Sequence, residues 1–339
     1  MKNIKSIIVI VVLLQYAAVI RGQDPSFSQF FSSPLNINPA LTANINADWR
    51  IISNFRDQWI GPASPYVTGT ISYDRKIFQN KMPGASENSR FGIGGMMMFD
   101  YAMSGVQKST YASANLSYGI QLHEGNNTQR LTAGFGTIYG RRHIDFSRVD
   151  FEEQFTGYGF NTNLPTGEVA LSNMKPYFSI SAGLTYAIST ERSNIDFGVA
   201  GFHLNRPKQT FLEDRNQLLS MRKVAHANFE TFINDRVVFN ANAIYQWQLQ
   251  ANYFSIGGAL GYYLEDENAT LLNAGMWYWS KNAVVPYIGL SYKDFQFGLS
   301  YDMTISKLYQ ATRRPKTWEL SMIVRGISRP TGIIPCPWK

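Results

Sequence analysis

From about residue 45 onward, apolar and polar residues alternate along the chain with a period of two, the signature of strands whose faces meet different surroundings. In 295–302, Phe295, Phe297, Leu299 and Tyr301 fall on one face, and Gln296, Gly298, Ser300 and Asp302 on the other. The stretches 111–122, 237–249 and 252–264 repeat the pattern. About fourteen such runs are predicted as strands: 47–57, 66–77, 90–101, 109–123, 128–143, 175–189, 193–204, 223–233, 237–249, 252–264, 270–280, 283–292, 295–303 and 317–326. No comparably long stretch carries helical i, i+3, i+4 spacing.

The lengths of the runs change the picture. Several reach nine to fifteen residues, whereas strands of soluble proteins cluster near five or six and a tilted strand crossing an outer membrane needs about 9–11. The later runs are joined by links of a few residues, such as Asn234-Asp-Arg236 and Lys293-Asp294, as in consecutive hairpins. Longer links at 78–89, 144–174, 205–222 and 304–316 are candidate external or plug loops. The polar face is built from Asn, Gln, Ser, Thr and Gly, and charges fall mostly in the links. An uncharged apolar face opposite a neutral polar one suits lipid outside and a lumen inside. The expected fold is an all-β transmembrane barrel of about fourteen antiparallel strands; the alternative is a secreted soluble β-sandwich.

Composition agrees with the barrel. Only 16% of residues are charged, while there are 22 Phe, 19 Tyr, 7 Trp and 27 Gly, which excludes a disordered or coiled-coil chain. Residues 1–22 read as a secretory signal peptide, with Lys2 and Lys5 before an apolar core at Ile7–Leu14 and small residues up to Gly22. After them no apolar run is long enough for a spanning helix. The net charge of +7 includes Lys2, Lys5 and Arg21 of this leader; without those three it is +4, a weak argument for nucleic acid, and none is expected as a partner. The single cysteine, Cys336, can form neither an internal disulfide nor a cysteine metal site. The four histidines lack metal-ligand spacing and there is no nucleophile elbow, so no cofactor, metal or enzymatic activity is expected. Gly92-Ile-Gly-Gly-Met96 and Gly134-Phe-Gly136 look phosphate-binding only superficially; inside strands, glycine permits close packing or bending.

The segment Gln23–Ala43 breaks the alternation. It holds three prolines and two aromatic clusters, and Phe27, Phe30, Phe31 and Leu35 are costly to leave in water, so docking on the barrel or on a partner is expected. Here the chain becomes recognisable. Gln23-Asp-Pro-Ser-Phe-Ser-Gln29, Pro34-Leu-Asn-Ile-Asn-Pro-Ala40, Arg50-Ile-Ile-Ser-Asn-Phe-Arg-Asp-Gln-Trp59 and Ser72-Tyr-Asp74 follow one another. Asn205, Pro207, Thr210 and Phe211 follow mid-chain, and near the end Phe297-Gly-Leu-Ser-Tyr-Asp-Met-Thr-Ile-Ser-Lys-Leu308, Trp318-Glu-Leu-Ser321 and Cys336-Pro337. Together these blocks resemble the PorP/SprF family of Bacteroidetes outer-membrane proteins, tied to type IX secretion and gliding motility. Thr304 stands where that family often has Asn.

The resemblance implies an outer-membrane barrel that works with other type IX components in the export or surface anchoring of a large adhesin-like cargo bearing a C-terminal sorting domain. It also implies outer-membrane lipid as surroundings. The residues themselves divide into signal peptide (1–22), non-barrel segment (23–45), barrel (46–326) and tail (327–339). Its blocks mark Asp24, Pro25, Gln29, Asn38, Pro39, Arg50, Arg56, Gln58, Trp59, Pro207, Tyr301 and Asp302 as candidate functional positions. For Arg50, Arg56 and Asp302 the alternative role is a charge network inside the lumen that holds the barrel together. Phe27, Phe30 and Phe31, and Phe151, Phe155, Tyr158 and Phe160 of the 144–174 link, are the candidate partner contacts; that link could equally fold into the lumen. The competing function is a passive porin or FadL-like channel for small solutes.

Overall fold

The computed structural model of the protein describes residues 24–61, 64–78, 89–123, 127–165, 174–209, 218–264, 270–310 and 314–326. The leader, Gln23, Thr210, Phe211 and the Cys336 tail lie outside the described residues.

The period-two runs are strands. They are β1 (Trp49–Ile60), β2 (Tyr66–Ile77), β3 (Arg90–Ala102), β4 (Gln107–His123) and β5 (Thr128–Ile144). Next come β6 (Tyr177–Ser189), β7 (Ser193–Phe202), β8 (Arg222–Phe232), β9 (Val237–Gln248) and β10 (Ala251–Tyr263). The last are β11 (Leu271–Trp279), β12 (Ala283–Tyr292), β13 (Phe295–Tyr301), β14 (Met303–Thr304) and β15 (Lys316–Gly326). Through β12 each pairs antiparallel with its sequence neighbour, β13 and β14 both pair with β12, β13 pairs with β15, and β1 pairs with β15 from Trp49–Gly326 to Ile60–Lys316, which closes the ring. β13 and β14 form a single stave interrupted at Asp302, so the barrel has fourteen staves. The 295–303 run was expected to be unbroken. It breaks because Asp302 turns its carboxylate onto Arg56 and its own N–H donates to Thr317 O at 3.0 Å. β1 runs past the expected end at 57 through a bulge between Asp57 and Ile60, where Trp59 takes the left-handed conformation at φ 66°.

Burial follows the alternation. Outward rings and aliphatics such as Ile71, Phe135, Phe178, Ile256 and Ile288 are exposed, while Asn54, Ser117, Ser181, Asn240, Asn242 and Ser321 are buried on the inner face. Outward charges occur within about four residues of a strand end (Asp57, Arg75, Lys108, Arg141, Lys223, Lys316), leaving an uncharged apolar belt around the middle of the wall. No helix among the described residues is long and apolar enough to cross a membrane; the strands make the wall. Ile256→Arg, at the centre of that belt, is expected to lower stability in lipid vesicles by about 2–4 kcal/mol, where a surface arginine on a soluble sandwich would cost almost nothing. Urea titration of the folded vesicle-inserted protein measures this.

The strand order sorts the links between two rims. One rim carries residue 48, residue 326 and the links 78–89, 124–127, 190–192, 233–236, 264–270 and 293–294; we call it the terminal rim. The other carries 145–176, 203–221 and 305–315 among shorter turns; we call it the loop rim. Short periplasmic turns and long external loops are the rule for such barrels, which puts the terminal rim on the periplasmic side.

Candidate functional site

Residues 24–47 do not lie outside the ring. They run the length of the lumen from the loop rim to the terminal rim, where β1 begins, and fill it with short helical turns at Phe30–Ser32, Pro34–Ile37 and Pro39–Leu41. Proline suits the start of each of the latter two, where a backbone N–H would be unpaired in any case. With so little regular structure, the segment's polar backbone has to be satisfied by the wall.

At the loop rim the Asp24 carboxylate meets His203 Nε2 at 2.8 Å and Arg222 Nε at 3.1 Å, and its N–H donates to Gln248 Oε1 at 3.1 Å. Burial alone would raise this carboxyl, but His203 and Arg222 hold it well below the usual carboxylate range. His203 is fixed from behind by Ser179 at 2.7 Å, and Arg222 lies 4.1 Å over the Phe202 ring and donates to Asn36 O at 3.0 Å.

One turn further in, the Ser28 and Gln29 N–H groups donate to the two Glu319 oxygens at 2.6 and 2.7 Å. Arg56 donates to Ser28 Oγ at 2.7 Å, to Asp302 Oδ2 at 2.9 Å and to Glu319 Oε1, and Gln58 Oε1 accepts from its Nε at 3.3 Å. Gln29 completes the cluster through Ser300, Ser321 and Glu319 O. Arg56, Asp302 and Glu319 are all at most 3% exposed, and Arg56 and Glu319 are direct cross-strand partners on the β1–β15 seam.

At mid-height Phe31 stacks on Trp277 at 4.7 Å and meets Tyr287 edge-on at 5.6 Å. Asn38 donates to Leu184 O at 3.1 Å and Val199 O at 3.2 Å, and its Oδ1 caps the Ala40 N–H at 2.9 Å. The wall makes room with glycine. Gly134 and Gly183 are cross-strand partners, and a Cβ on either would collide with the Pro39–Ala40 backbone or with the Asn38 side chain. Near the terminal rim, Asp74 accepts from the Ala43 N–H at 2.7 Å and pairs with Arg50 at 2.6 Å, while Ser117 Oγ donates to Thr42 O at 2.7 Å. The cavity left between the segment and the β7–β9 wall is about 50 Å³, room for a few waters.

Thus the structure brings Asp24, Gln29, Asn38, Pro39, Arg50, Arg56, Gln58 and Asp302 into one continuous plug-and-wall network. Pro25 lies along it, its carbonyl facing Asn36. Trp59 sits just outside, edge-on to Tyr66 at 5.5 Å with its N–H on Thr317. Tyr301 packs at a tilt against Trp318 at 4.5 Å away from the network, and Pro207 O accepts from Leu219 N–H in a loop-rim link. Phe27 and Phe30 are each 4% exposed inside the lumen, and Phe31 packs on the inner wall. Of the two places expected for these rings, the barrel or a partner, they occupy the barrel, which meets the apolar cost of exposing them. Glu319, Asp74, His203 and Arg222 complete the network and were not singled out as sites; their inward parity on apolar strands, or their place at a strand end, was the available signal.

The 145–176 link is different. Phe155 and Phe160 bridge and pack ring to ring at 5.2 Å, with a turn closed by Thr156 N–H to Gly159 O at 3.0 Å and Gly157 at φ 83°. Gln154 ties the base to Leu164 O, and Phe151 packs on Phe146. Tyr158 at the tip is fully exposed, and Phe155 and Phe160 are each 54% exposed. This hairpin stands outside the lumen. Among the described residues no His, Cys, Asp and Glu side chains cluster as a metal site.

Residues 19–324 match the family described as type IX secretion system membrane protein PorP/SprF. The chain belongs to this family. As a PorP/SprF protein it is an outer-membrane β-barrel of type IX secretion, acting alongside the other components of that system. No curated protein matches it. Solved barrels resemble it at low identity. The CymD monoaromatic hydrocarbon channel is 10% identical, covering 90% of this chain and 95% of that one, at a TM-score of 0.50. A Pseudomonas aeruginosa FadL homologue is 11% identical over 85% and 92%, at a TM-score of 0.44.

Proposed function

We propose that this PorP/SprF barrel supports export or surface anchoring of one large secreted, adhesin-like cargo, recognised through the cargo's C-terminal sorting domain. The observation that carries the reading is the pairing of a lumen filled by the chain's own residues 24–47 with an aromatic hairpin exposed at the loop rim. A filled lumen leaves the rim as the working surface, and exposed aromatic rings held by a tight turn are the kind of group that anchors a protein interface. The family supports a role in gliding motility or adhesion at the cell surface. The filled lumen weighs against an open passive porin.

The test is surface retention. The triple change Phe155→Ser, Tyr158→Ser, Phe160→Ser, or deletion of 150–165, is expected to leave a heat-modifiable barrel in the outer membrane and to reduce cell-associated cargo at least tenfold. Pull-down from solubilised outer membranes identifies that cargo. Unchanged retention by the folded variants would sink the proposal, and solute flux in liposomes without any cargo would put the channel in its place.

A further inference from the structure

Three cations converge at the terminal rim without taking part in the plug network. Lys76 is the last residue but one of β2, Arg90 the first of β3 and Arg130 the third of β5, and strand parity turns all three into the lumen. They line one small pocket of about 10 Å³, floored by Thr42 and Asn44 of the plug and walled by Ser117 and Thr132. Glycine clears their paths. Gly92 stands opposite Lys76 and Gly119 opposite Arg90, and a Cβ on Gly119 would lie 3.3 Å from Arg130 Cδ.

The charges are poorly compensated. Asp48 offsets Lys76 in part, and Asp74 is occupied by Arg50 and the Ala43 N–H. Among the described residues no carboxylate lies within ion-pair distance of Arg90 or Arg130, and the charge acting on Arg90 is that of Arg130. Arg130 Nε is buried with no hydrogen-bond partner. Two guanidinium groups and an ammonium aimed at one pocket repel each other unless an anion joins them, and guanidinium forks match the planar or tetrahedral oxygens of carboxylate and phosphate. The groups face the lumen, out of reach of lipid headgroups.

We propose that this pocket is an oxyanion site on the periplasmic mouth of the barrel, accepting one phosphate or carboxylate group presented from below. The inference rests on the lumen geometry and stands whether or not the loop rim binds cargo. The pocket admits only the tip of a ligand, so its two sources are free phosphate and the acidic side chains of a peptide segment.

Detergent-purified full-length protein is titrated by calorimetry with inorganic phosphate and, separately, with a hexaglutamate peptide, in chloride-matched ionic strength. Saturable one-to-one binding of at least one of them is expected, weakened at least tenfold in the Arg90→Gln, Arg130→Gln double variant. Tighter phosphate binding assigns the site to the free ion; tighter peptide binding assigns it to an acidic segment. Thr132→Asp supplies a carboxylate within the pocket and is expected to fold with binding abolished. That variant decides the matter should the double variant lose its heat-modifiable form. No saturable binding to the wild-type protein, or equal binding by the folded variants, overturns the site.

Discussion

Arg56→Met is expected to unfold at a much lower denaturant concentration than the parent protein, with a loss of about 3–5 kcal/mol. Methionine fills much of the space of arginine, so packing changes little. What changes is charge: Asp302 and Glu319, each at most 3% exposed, lose the guanidinium they share, and Ser28 loses a donor. Breaking a buried ion cluster from one side leaves its remaining charges uncompensated, which costs far more than the cluster contributes when whole. Adding Asp302→Asn and Glu319→Gln to Arg56→Met is therefore expected to restore part of the loss, and the non-additivity measures the coupling. Gel mobility of unheated samples and urea titration in vesicles both read it. A midpoint unchanged by Arg56→Met would mean that the cluster is solvated.

The second large effect is on permeability. Gly134→Val with Gly183→Val puts two branched side chains where the Asn38–Ala40 turn now rests. The turn must lift, and Asn38 then gives up its bonds to Leu184 O and Val199 O and its approach to His226, about 2–4 kcal/mol in all. The strands themselves favour valine. The expected result is a barrel that still folds, conducts ions in planar bilayers where the parent does not, and exposes residues 24–47 to protease. A closed, protease-resistant double variant would show that these glycines are not the seat of the plug.

Much of the wall was legible because a strand's side chains obey strict parity: once Phe297 and Leu299 are assigned to lipid, Gly298 and Ser300 must face the lumen. Strand ends follow closely from the same pattern, and depart from it where the ladder is interrupted, at Asp302 and at Trp59. The plug was only half legible. Its composition says that Phe27, Phe30 and Phe31 must be covered, yet nothing periodic says by what. Its partners lie far along the chain: Glu319 is 291 residues from Ser28, and His203 is 179 from Asp24. Gly134 reads as a strand glycine that permits close approach, but only the fold shows that the approaching group is the chain's own N-terminal segment and that Gly183 opposite it makes room as well.

The route of that segment has a consequence for assembly. The β1–β15 seam joins the two ends of the sheet, and Glu319, on its last strand, takes hydrogen bonds from Ser28 and Gln29 as well as from Arg56 on its first. Without the segment, that carboxylate and a row of wall glycines would face only water. Residues 24–47 thus tie the first strand to the last from inside, as a mandrel holds the cylinder wound on it, and the suture and its filling stabilise one another.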